Sequence, residues 1–151
     1  MTETDISIII ATRNREQILL QTLKEACAAI ENTDAEIIVV NDGDNDLKFP
    51  GEILDKIKLF NNPKRGVSSA RNFGADKANG SVLFFVDDDM WINKQIIDWI
   101  KFFIIKNENT EAAYNINWEY PDTLRDKLHN SKIGNYISSN HYTNMRGRIH
   151  E

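Results

Sequence analysis

Apolar positions in this chain fall in short blocks separated by clusters of turn-forming residues. Asp5 to Thr12 (DISIIIAT) is an apolar run rich in β-branched residues, broken by Arg13 and Asn14, which predicts a strand. Leu19, Leu20, Leu23, Ala26, Cys27 and Ile30 then recur at helical spacing, so an amphipathic helix follows. Glu36 to Val40 (EIIVV) predicts a second buried strand, stopped by Asn41, Asp42 and Gly43. After Pro50 and Gly51 the pattern gives a short helix and a third strand around Ile57 to Phe60. The next helix is bounded by Arg65-Gly66 and by Asn79-Gly80, the last glycine reading as a stop in the left-handed conformation.

Val82 to Val86 is unbroken and apolar, which predicts a central strand covered on both faces. A helix from Lys94 to Lys106 puts Ile96, Ile97, Ile100, Phe103 and Ile104 on one side. A further strand is predicted at Ala112 to Trp118 and a short helix at Leu124 to His129. Strands alternating with helices imply right-handed crossovers. The predicted fold class is therefore α/β, a doubly wound, mainly parallel sheet with helices on both faces.

At 151 residues and 41% apolar content, the chain can bury one ordinary core. Cys27 is the single cysteine; its helical spacing makes it a core residue and leaves no internal disulfide. No apolar run approaches the roughly 20 residues of a membrane span, and the start MTETDISIII has neither the basic residues nor the cleavage site of a signal peptide. The expected compartment is cytoplasmic. A net charge of −5 argues against nucleic acid as a partner, because phosphate neutralisation needs a basic face. The segment 125–148 is locally basic, with Arg125, Lys127, Lys132, Arg146 and Arg148 against Asp126. It reads either as a solvated surface or as a point of peripheral membrane contact.

The chemistry gathers where the apolar run of the fourth strand meets Asp87, Asp88 and Asp89. In open α/β sheets ligands bind outside the carboxyl ends of the strands. Alternation along an extended backbone would send Asp87 and Asp89 to one side and Asp88 to the other. Two close carboxylates repel unless a cation separates them, and Mn²⁺ or Mg²⁺, which take one or two carboxylates with water and phosphate oxygens, suit such a pair. The plainer alternative is a solvated acidic turn in which Asp89 or Asn93 caps the next helix. Thr12 to Asn14 and Asn41 to Gly43 fall at the same edge. A fourth element, Asn62 to Gly74 (NPKRGVSSARNFG), starts a helix and presents Arg71. Helix-start amides and an arginine favour anions, while the plain alternative for Arg71 is an ion pair with one of the aspartates.

With these residues assembled, the chain resembles the family 2 glycosyltransferases, whose GT-A fold is a nucleotide-sugar-binding variant of the doubly wound sheet. SIIIATRNR is similar to that family's opening strand and Pro-Thr-Tyr-Asn-Arg turn, with Ala11 and Arg13 in place of Pro and Tyr. EIIVVNDGDND resembles its Asp-Asp-Gly-Ser-x-Asp segment, with Asn41 replacing the first Asp; GVSSARNFG and VDDDMW resemble its Gly-x-x-x-Ala-Arg-Asn-x-Gly helix start and its Asp-x-Asp. The resemblance implies an inverting, metal-dependent transfer of sugar from a nucleoside diphosphate donor, UDP-linked in preference to GDP or TDP, to a hydroxyl of a glycan or lipid-linked acceptor. It implies substrate contacts at Ala11, Thr12, Arg13, Asn14, Asp42, Arg71, Asp87 and Asp88, and metal ligation by Asp87 and Asp89. Residues 1–118 are expected to form the nucleotide-sugar-binding domain and 119–151 the start of an acceptor-side region.

The general base of the family lies well downstream of the Asp-x-Asp, so it is expected beyond Glu151, with Glu119 and Asp122 reading as surface carboxylates. The alternative function is a nucleotide-sugar-binding module or fragment without turnover. A receiver domain would want a lysine after the Ala112 to Trp118 strand, and a nicotinamide-dependent dehydrogenase a Gly-x-Gly-x-x-Gly where this chain has Ala11-Thr12-Arg13-Asn14; neither pattern is present.

Overall fold

The computed structural model describes residues 6–106, the last four through their backbone alone. Its elements run β1 (Ile6–Thr12), α1 (Glu16–Ala29), β2 (Glu36–Asn41), α2 (Gly51–Leu54), β3 (Ile57–Asn61), α3 (Val67–Asp76), β4 (Val82–Asp87) and α4 (Lys94–Lys106). The strand predicted at 112–118, the helix at 124–129, the domain division after 118 and the basic 125–148 segment lie outside the described residues.

The four strands form one parallel sheet in the order β3-β2-β1-β4. From β1 the chain moves outward to β2 and β3, then returns across them to reach β4 on the other side. Right-handed crossovers in opposite directions place α1 and α3 on opposite faces. This is the doubly wound arrangement that the sequence predicts. The order reverses between β1 and β4, and the carboxyl ends of those two strands therefore border the crevice where such sheets bind ligands.

Burial follows the two-residue alternation of a strand. On one face Ile9, Ile38 and Val40 pack with Ala70 of α3, flanked by Ala11, Phe60 and Phe73. Ile8, Ile10, Ile37 and Val39 alternate with them and are fully buried, as are Leu19, Leu23 and Ala26 of α1. Helix α4 buries Ile97 and Ile100, and Asn93 caps it by accepting the Ile96 amide at 3.0 Å.

Two expectations need correction. Among the described residues β1 and β2, not β4, are the strands covered on both faces. β4 pairs with β1 alone there, and its Leu83 and Phe85 stay exposed; they share a face with Ser7 and Ile9 of β1, beyond the part of the sheet that α3 covers. A continuous apolar run does not distinguish these cases, since side chains on both faces are apolar in either. The second correction concerns Gly80. α3 ends at Asp76, and Gly80 is not in the left-handed region. It is small because a Cβ there would lie 2.7 Å from the Ser7 amide nitrogen.

Candidate functional site

The carboxyl ends of the strands are joined by hydrogen bonds between their loops. Thr12, last in β1, is the hinge: its carbonyl accepts the Asp42 amide at 2.8 Å, and its hydroxyl donates to Asp88 Oδ2 at 2.7 Å. One buried residue thereby links the turn after β2 to the aspartates after β4. Asn14 adopts a left-handed φ of 55°, which asparagine tolerates better than most residues. Its side-chain oxygen accepts the Asp44 amide at 3.4 Å. An open cleft beside it is lined by Asn14, Glu16, Asn45, Asp46 and Leu47.

Asp42 is buried. Its Oδ1 accepts the Asn62 side-chain amide at 2.6 Å and the Gly66 backbone amide at 2.9 Å. Burial opposes its ionisation, but these donors together with the charges of Arg13 and Arg65 prevail, so its carboxyl sits below the usual range. Gly66 holds a φ of 129°, open to glycine and strained for other residues. The anion received at the start of α3 is thus the protein's own Asp42. Arg65 pairs with Asp44 alongside.

Asn41 stands where the resembling motif has aspartate. Its side-chain NH₂ donates to the Asn45 carbonyl at 2.8 Å and to Asn61 Oδ1 at 3.1 Å, while its oxygen accepts the Gly43 amide at 2.9 Å. A carboxylate offers no donor, so an aspartate here would face two acceptors. The amide is the species these neighbours require.

The three aspartates occupy different surroundings. Asp87, last in β4, pairs with Arg71 of α3 at 2.5 Å; that ion pair was the plain alternative for Arg71. Asp88 is buried, its Oδ1 held by Arg15 at 2.7 Å and its carbonyl by the Thr22 hydroxyl at 2.8 Å. Asp89 also pairs with Arg15, at 2.8 Å. The strand ends at Asp87, so alternation does not carry to Asp89, which shares its counter-ion with Asp88 rather than with Asp87. The hydrogen bond that Arg15 donates to Asp89, followed by the charge of Asp88, raises the Arg15 pKa further. Asp89 is not the cap of α4, since Asn93 fills that role.

Among the described residues no three His, Cys, Asp or Glu side chains form a closed metal cage. Asp87 and Asp89 are 62% and 48% exposed. Two accessible carboxylates with no nitrogen or sulfur ligand are an all-oxygen donor set that fits Mg²⁺ or Mn²⁺ completed by water and phosphate.

Residues 7–148 match the sequence profile of Glycosyl transferase family 2. The chain belongs to that family. An uncharacterized glycosyltransferase of Haemophilus influenzae is 32% identical over 108 residues, covering 68% of this chain and 43% of that protein. WfaP of Escherichia coli, a UDP-Glc:alpha-D-GlcNAc-diphosphoundecaprenol beta-1,3-glucosyltransferase, is 32% identical over 104 residues, 64% of this chain and 40% of its own. The crystal structure of S. aureus TarS 1-349 superposes with a TM-score of 0.55 at 21% identity, over 74% of this chain and 38% of that one, so the fold is shared. The chain spans less than half the length of these relatives.

In this family 2 chain, Thr12, Arg13, Asn14, Asp42, Arg71 and the three aspartates all lie at the carboxyl edge of the sheet, with Ala11 half-buried in β1 beside Asp87. Sequence reasoning gives no role to Arg15, Thr22 or Asn62, although Arg15 closes SIIIATRNR and Asn62 opens NPKRGVSSARNFG. Arg15 carried a signal, a cation where a helix start usually has Ser, Thr or Asp. Asn62 and Thr22 carried none, because their partners are 20 and 66 residues away.

Proposed function

We propose that this chain binds the nucleoside diphosphate of a sugar donor, UDP-linked in preference to GDP or TDP, and serves its transfer to a hydroxyl of a glycan or lipid-linked acceptor. The observation that carries this reading is the meeting of four segments at the β1/β4 reversal: the β1 turn, the β2 turn, the start of α3 and the aspartates of β4. Asp42 faces the base, Thr12 and Asn14 shape the floor, and Arg71 lies on the phosphate side. Asp87 and Asp89 hold Mn²⁺ or Mg²⁺.

Charge supports this division. Three aspartates face two guanidiniums, Arg15 and Arg71, leaving one negative charge that would repel a diphosphate. A divalent cation reverses the sign, and when bound it offsets negative charge on the departing phosphate. Inversion of the sugar follows from attack by an acceptor hydroxyl with a carboxylate base, expected downstream and outside the described residues. The lipid-linked acceptor and UDP donor in the name of WfaP favour the same classes here.

Calorimetric titration with UDP, GDP and TDP, with Mn²⁺ and then with EDTA, tests the reading. UDP is expected to bind in Mn²⁺ and at least tenfold more weakly in EDTA. Equal affinity in EDTA removes the cation from Asp87 and Asp89, and no binding by any of the three removes the donor site.

A further inference from the structure

Arg15 occupies a position that helix physics disfavours. It immediately precedes α1, and its side chain makes no capping hydrogen bond to that helix. A positive charge there opposes the helix dipole. Local rules tend to break where a residue serves a site, and the partners of Arg15 say which one. Nη1 meets Asp88 Oδ1 at 2.7 Å, and Nη2 meets Asp89 Oδ2 at 2.8 Å.

Asp88 itself is immobilised. It is 4% exposed, its second oxygen takes the Thr12 hydroxyl, and its carbonyl takes the Thr22 hydroxyl. One end of the guanidinium fork is therefore fixed to β1 and α1, and the planar group carries that fixed position across to the exposed Asp89. Flexible ligands of a cation are commonly oriented by such outer partners.

We propose that Arg15 is the positioning residue of the cation site, fixing the Asp89 carboxylate through Asp88 before the donor arrives. The inference rests on the donor-and-cation reading above. Arg15 touches neither donor nor cation; it acts through the two aspartates. A lysine would keep the charge but supplies a point donor that cannot fork between two carboxylates, so geometry and charge can be separated experimentally.

The test is Mn²⁺ titration of the full chain in the presence of UDP, with free Mn²⁺ read by electron paramagnetic resonance and folding by thermal melting. Arg15→Lys and Arg15→Gln are each expected to weaken Mn²⁺ binding by about 10- to 100-fold. Asp88→Asn should weaken it similarly, and Arg15→Lys combined with Asp88→Asn no more than either alone, as for residues acting as one unit. If Arg15→Gln fails to fold, Arg15→Lys, which keeps the charge beside Asp88, carries the test. Wild-type Mn²⁺ binding with unchanged or tighter binding in folded Arg15→Lys overturns the inference alone. A wild-type chain that binds no Mn²⁺ overturns the cation reading and the inference together.

Discussion

At the amino ends of the strands one carboxylate, Glu36, receives four donors: the Ser7 hydroxyl at 2.5 Å, the Lys58 ammonium at 2.5 Å, and the Asn79 backbone and side-chain amides at 2.6 and 3.2 Å. At the carboxyl ends three aspartates share two guanidiniums, and Asp87 and Asp89 remain accessible to solvent. Both ends rely on carboxylates, with opposite ratios of donors to acceptors. Glu36 ties β1, β2, β3 and the turn before β4 together, and the Gly80 amide completes the knot by donating to the Ser7 hydroxyl at 2.9 Å. Saturation of this kind fixes a structure. An under-supplied cluster instead leaves carboxylates available to a ligand that brings positive charge.

The sharpest way to break the contrast is Glu36→Ala, which leaves Lys58, Ser7 and Asn79 without their acceptor. It should lower the unfolding free energy by about 3 kcal/mol, given charged hydrogen bonds of this kind. Urea denaturation reads the loss, and UDP binding by the folded fraction should stay as in the wild type.

At the other end, Asp42→Ala should weaken UDP binding by about 1.5–3 kcal/mol, the range for a hydrogen bond to a charged group. Inorganic pyrophosphate, which lacks the base, should be held almost as before. Equal weakening of both ligands in calorimetry would move Asp42 from the base to the phosphates or to a purely structural turn.

An acid titration sharpens the comparison further. Burial pushes the Glu36 carboxyl up, but the Lys58, Ser7 and Asn79 donors overcome it and bring the pKa down to about 2 from 4.5. Because the folded value is the lower one, its stabilisation is complete above pH 4.5 and is lost as pH falls toward 2. Screened by solvent, this contribution is on the order of 1–2 kcal/mol. Glu36→Gln should flatten that part of the acid limb in denaturation curves collected from pH 5 to pH 2.

The smallest effect on stability belongs to Arg71 and Asp87. Their side chains are 41% and 62% exposed, so a double-mutant cycle with Arg71→Ala and Asp87→Asn should give a coupling of about 0.2–1 kcal/mol. A coupling well above that would make the pair a structural clamp like Glu36.

Much of this architecture was legible because it is written in local pattern. The apolar runs of β1, β2 and β4 and the helical spacing of α4 each declare an element within a dozen residues. The carboxyl-edge site was legible as a list, since strand ends in a parallel sheet must come together. Its wiring was not. A Glu at the start of EIIVV looks like a solvent-facing polar residue until Lys58 and Asn79 arrive from 22 and 43 residues away. Arg15 reads only as a cation out of place at a helix start until Asp88 closes on it across 73 residues. Likewise Gly80 reads from sequence as a left-handed helix stop, and only the proximity of Ser7 shows that lack of volume is what this position requires.

The pairing of β1 with β4 also bears on how the molecule comes into being. Contacts that bridge 73 to 76 residues, such as Thr12 with Asp88 and Ser7 with Gly80, demand the closure of a long loop, and interactions of that kind form slowly. β1, β2 and β3 can associate through nearer neighbours while β4 is still being synthesised. An intermediate lacking β4 would have three of the four described strands and none of the acidic cluster, because the three aspartates arrive with that strand. On the proposed reading, ligand affinity would report the docking of β4, and a donor that binds only once that strand is in place would draw earlier intermediates toward the native state.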